Sequence, residues 1–69
     1  MAINTYKYLK SVVNLVNHKL KRNGSDIVLS VNRENEFYHL RDNKGNLCHG
    51  GASSKSCVTF LRGIEYTLK

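Results

Sequence analysis

The sequence predicts an α+β fold of order α-β-β-β-α, with two helices packed on one face of a three-stranded antiparallel sheet. Three observations point there. Apolar residues recur at steps of three and four over residues 4–22 and again near the C-terminal end, the period of a helix with one buried stripe. Between those stretches, short blocks alternate apolar and polar side chains, the period of a strand with one buried face. Clusters of Asn, Asp and Gly between the blocks supply turns. With 69 residues the chain has room for a single domain, 1–69, and one small core.

In the first helix, 4–22, Tyr6, Leu9, Val13, Val16 and Leu20 make the stripe, and Tyr8, Val12 and Leu15 widen it. Asn4 or Thr5 caps its start, and Asn23-Gly24 ends it in a left-handed turn. Lys19, Lys21 and Arg22 sit in the last turn, where cations offset the negative end of the helix dipole. Residues 27–31 are rich in β-branched side chains, and the alternation Ile27/Leu29/Val31 predicts the first strand. Asn32-Arg33-Glu34-Asn35 reads as a polar connection, after which 36–41 alternates as the second strand. Asp42-Asn43-Lys44-Gly45 is a turn with Gly where positive φ is tolerated, so 46–49 returns as a short third strand. Gly50-Gly51-Ala52 bends the chain, and Ser53 or Ser54 caps a second helix carrying Cys57, Phe60, Leu61, Ile64 and Leu68. Gly63 weakens that helix by about 1 kcal/mol relative to Ala. It marks either close packing on the sheet or an early helix end.

Several classes of function are disfavoured. The longest apolar runs, such as 27–29, fall far short of the roughly 18–20 residues that cross a bilayer. Lys7 and Lys10 interrupt the opening residues, so no secretory h-region forms and a soluble, cytoplasmic chain without membrane partner is expected. Cys48 and Cys57 allow one bridge at most and are expected to be reduced, buried small groups near the sheet–helix contact. If the turn pairs Asp42 with Asn46, His39 lies opposite His49 while Cys48 points to the other face, which separates the ligand types. With no short-spaced ligand pair either, neither a metal nor another cofactor is expected. No carboxylate pair or nucleophile–base arrangement implies an enzyme. Phe37, with His39, Arg41 and His49, forms a stacking platform for an unpaired base only if Tyr38 and Leu40 point inward.

Charge is the more informative signal. Eleven Lys and Arg stand against five Asp and Glu, a net +6, and residues 1–25 hold Lys7, Lys10, Lys19, Lys21 and Arg22 with no acid. Such asymmetry favours polyanionic partners. At 100° per residue, the arc opposite the apolar stripe collects Lys7, Lys10, Ser11, Asn14, Asn17, His18, Lys21 and Arg22. All are hydrogen-bond donors. A face needing only solubility would mix signs into i,i+4 pairs, whereas a donor-only face suits phosphate oxygens. The stretch Gly50-Gly51-Ala52-Ser53-Ser54-Lys55-Ser56 adds hydroxyls and a lysine where a helix start offers free N–H groups to an anion.

The element order and residues 50–59 resemble the double-stranded-RNA-binding domain. Ser54 and Lys55 match the Ser-Lys that opens the last helix of that family, whose lysines grip phosphates across a groove. Ser56, Val58 and Thr59 replace its further Lys, Ala and Lys, and Arg33-Glu34-Asn35-Glu36 stands where the family has Gly-Pro-x-His. The expectation is a small, non-catalytic nucleic-acid-binding module. Its phosphate contacts come from Lys7, Lys10, Asn14, Lys21 and Arg22, joined by Ser54 and Lys55, and are largely independent of base sequence, on RNA or DNA. The alternative is a protein-interaction module of phage or mobile-element type, a small regulator or inhibitor docking on an acidic protein surface. Homodimerisation through the third-strand edge or the wet sheet face accords with either.

Overall fold

The computed structural model describes residues 5–68, with the backbone alone at Ala52. Helix α1 (Thr5–Arg22) is followed by strands β1 (Ser30–Glu34), β2 (Phe37–Arg41) and β3 (Leu47–Ala52) and by helix α2 (Ser54–Thr67). The sheet is antiparallel in the order β1-β2-β3, so β2 is central. Both helices pack on one face of it, giving the expected α+β architecture.

The start of α1 expected at Asn4 lies outside the described residues. Its C-terminal end follows the expected chemistry. Gly24 has φ of 79°, its amide donates to Lys21 O at 3.0 Å, and the Ser25 amide reaches back to Leu20 O at 3.0 Å. That pair of bonds is the double closure of a helix ending in a left-handed glycine. Leu9, Val12, Val13, Val16 and Leu20 form the buried stripe, meeting Leu29, Val31, Tyr38, Leu40, Cys57 and Leu61 in one core. Tyr6 stacks on Tyr38 with centroids 6.3 Å apart and donates its hydroxyl to Val31 O at 3.2 Å.

Several local expectations are corrected. The first strand is Ser30–Glu34, not 27–31, and the polar stretch read as a connection is mostly strand. A tight turn at Asn35-Glu36, with Asn35 at φ 57°, sets Glu34 opposite Phe37 and Ser30 opposite Arg41. Beyond Arg41 the chain turns at Asp42, so 27–29 has no strand to pair with. Leu29 alone of the three is buried, while Ile27 and Val28 are 49% and 52% exposed.

The third strand is longer than expected and irregular. Register shifts place Leu47 opposite Arg41, His49 opposite Leu40 and Ala52 opposite Tyr38. His49 therefore lies across from the core residue Leu40 and not across from His39. It faces the helices, with Nε2 2.9 Å from Ser56 Oγ and its ring stacked on Phe60 at 4.8 Å. The same irregularity leaves Cys48 exposed, whereas Cys57 is buried as expected. Burial pushes the Cys57 thiol pKa up.

Ser53 caps α2, its hydroxyl accepting from the Ser56 amide at 3.3 Å. Gly63 neither ends the helix nor packs closely. The helix continues to Thr67, and a methyl group at Gly63 would meet nothing within 4 Å.

Candidate nucleic-acid interface

The buried stripe of α1 faces α2 and the sheet, so the opposite arc faces solvent. Lys7, Lys10, Ser11, Asn14, His18, Lys21 and Arg22 are all exposed on it. Lys10 Nζ lies 5.4 Å from the centroid of the Tyr6 ring, close enough for the ring to attract the cation and hold its stem over the first turn. Ser11 returns its hydroxyl to Lys7 O at 3.1 Å. Lys21 and Arg22 have no carboxylate partner among the described residues.

Two other residues of the same helix, Lys19 outside the arc and Asn17 counted on it, are engaged within the fold. Lys19 pairs with Glu65 of α2 at 3.0 Å, and Arg62 holds the other oxygen of that carboxylate at 2.9 Å. Hydrogen bonding to Lys19, and then to Arg62, lowers the Glu65 pKa below the ordinary carboxylate range. Asn17, counted as a donor on the arc, is committed to the fold. Its Nδ2 donates to Leu29 O at 2.8 Å, and its Oδ1 accepts from the Leu29 amide at 2.7 Å. At 100° per residue it stands at the margin of the buried stripe, beside Val13 and Leu20, and that position was the available signal.

A groove of about 560 Å³ runs beside the arc, lined by Asn14, His18 and Lys21 on α1 and by Asp26, Ile27 and Val28 opposite. Asn14 also lines a smaller hollow of about 170 Å³ with Lys10 on one side and Ser30 and Val31 on the other. The far wall is the unpaired segment before β1, held by Asn43, whose Nδ2 donates to Asp26 O at 3.0 Å. The groove thus has a polar helix wall carrying Lys21 and a mixed facing wall in which Ile27 and Val28 stand beside Ser25 and Asp26.

Ser54 and Lys55 are carried by a different element. Lys55 is exposed and Ser54 half-buried at the first turn of α2, where Ser53 already occupies the Ser56 amide. Their bonds are local: Thr59 Oγ1 donates to Lys55 O at 3.0 Å. Among the described residues, no group of three or more His, Cys, Asp or Glu gathers as a metal site would require. No helix among them is long and apolar enough to cross a membrane.

Comparisons with protein-family models, curated proteins and solved structures give no match.

Proposed function

We propose that the chain is a nucleic-acid-binding module that grips phosphates through the exposed arc of α1. The observation carrying this reading is that Lys7, Lys10, Lys21 and Arg22 share the solvent side of one helix that has no acidic residue. Asn14 and His18 add further donors between them, and Lys55 at the start of α2 adds a further cation. Phosphate contacts of this kind are blind to base sequence, so RNA and DNA both bind. The partial likeness to the double-stranded-RNA-binding domain makes duplex RNA the first ligand to try. No step of catalysis belongs to this reading.

A second reading is favoured by one specific observation, the two exposed apolar residues in the wall facing α1. Ile27 and Val28 are about half exposed opposite Lys21. An acidic protein segment with apolar residues would fill such a groove, as a small regulator does on its target.

One titration separates the two. Log affinity for duplex RNA, duplex DNA and single strands is measured against log salt concentration. The expected slope is steep, close to one unit for each phosphate neutralised, and Lys7→Glu with Lys10→Glu reduces it by about two units. A flat slope, or affinity unchanged by those substitutions, refutes nucleic-acid binding through α1. Loss of a captured acidic protein on Ile27→Asp, with no nucleic-acid affinity in the parent, supports the second reading.

A further inference from the structure

The sheet face turned away from the helices carries Phe37, His39 and Arg41 along the central strand. Glu34 lies directly opposite Phe37 on β1, and Leu47 directly opposite Arg41 on β3. A methyl group placed on Gly50 would come within 2.8 Å of Leu47 and 3.0 Å of His39 Nδ1, so Leu47 and His39 share this face. Phe37 is 52% and Leu47 54% exposed, while Tyr38 and Leu40 point inward. The His39 ring is fixed in place: Nδ1 accepts from the Gly51 amide at 3.2 Å, and Nε2 lies 3.4 Å from Glu34.

We infer that a second copy of the chain covers this face, sheet against sheet. The arrangement along β2 is symmetric about His39, with Phe37 two residues before it and Arg41 two residues after. Consider a two-fold axis between the sheets, passing over His39 and perpendicular to the strands. It lays Phe37 of each copy over Arg41 of the other and Glu34 over Ser30, the β1 neighbour of that Arg41. Each guanidinium then meets a ring face and, one strand across, a carboxylate, and Leu47, level with Arg41, comes against the flank of the opposing Phe37. Every contact is made twice, as an isologous interface requires, and ring-to-guanidinium packing is attractive. Sheets packed face to face stand about 10 Å apart, a gap that side chains of this length fill. The other two-fold, parallel to the strands, would set Arg41 on Arg41. A nucleic-acid strand suits the face less well, because the Glu34 carboxylate beside Phe37 repels a phosphate chain following stacked bases.

The experiment is sedimentation equilibrium of the full chain over a concentration series. Twice the chain mass is expected at the upper end. Phe37→Ser and Arg41→Glu each shift the mass to that of a single chain, the second by setting like charges together. Glu34→Arg combined with Arg41→Glu restores the pair in reverse and recovers the dimer. Circular dichroism melts verify that each variant folds. A parent chain at single mass throughout, or a dimer unmoved by Phe37→Ser and Arg41→Glu, overturns the inference. So does tight binding of a fluorescent single-stranded oligonucleotide that Phe37→Ser abolishes, which would assign the face to unpaired bases.

Discussion

The Asn17 carboxamide takes the place of a neighbouring strand, donating to and accepting from one residue's backbone at the open edge of the sheet. Removing it leaves a half-buried N–H and C=O of Leu29 unpaired, a loss of about 1–3 kcal/mol. Asn17→Ala is therefore expected to lower the melting temperature by several degrees, at about 4–8 °C per kcal/mol for a domain of this size. The same variant leaves the salt slope of nucleic-acid affinity unchanged. A changed slope with an unchanged melting temperature would contradict this assignment. Residues such as Lys10 and Lys21 were legible because a cation on a polar arc needs no distant partner to be read. Asn17 was not, because its partner lies twelve residues away in sequence.

The elements were readable where period and turn chemistry agree. Helix α1 ends at Asn23-Gly24 as its sequence implies, and Asp42 closes the second hairpin. Asp42 Oδ1 accepts from the Lys44 and Asn46 amides, each at 2.9 Å, a local turn visible in the sequence. The strands were displaced because β-branching marks what can extend, not what finds a partner. Ile27 and Val28 extend without pairing, and Asn32, Arg33 and Glu34 pair because the Asn35-Glu36 turn fixes the register. The β3 register shifts left no trace in the alternation pattern, so the placement of His49 and Cys48 could not be read. Gly63 gives the test at this scale. It is exposed within α2 and a methyl there meets nothing, so Gly63→Ala should stabilise the chain by about 1 kcal/mol. An unchanged or lower melting temperature would mean that the position is constrained by something other than helix propensity.

At the scale of the whole molecule, two half-buried carboxylates brace the layers from within. Asp42 braces the β2–β3 hairpin, and Glu65 joins α2 to Lys19 of α1. Both have lowered pKa values: Asp42 chiefly through the Asn46 amide, Glu65 chiefly through Lys19. Groups whose folded-state pKa is depressed stabilise fully above the ordinary carboxylate range, and the contribution is lost as pH falls through their folded-state values. Melting temperature should hold near neutrality and fall on acidification, as the net charge of +6 also climbs. Asp42→Asn with Glu65→Gln should lower the neutral plateau and flatten the acid decline. A parent profile already flat into acid would show that neither contact matters to stability.

The molecule is a slab whose principal extents are 36 × 26 × 15 Å, with helices on one broad side and bare sheet on the other. Whatever sits on the bare side leaves the lysines of α1 unobstructed. Two chains joined back to back would carry cationic helices pointing in opposite directions, a bivalent clip able to draw separate polyanion segments together. Its grip would then depend on the number of those segments and on how well their spacing matches the distance between the two helices, more than on the strength of either contact alone.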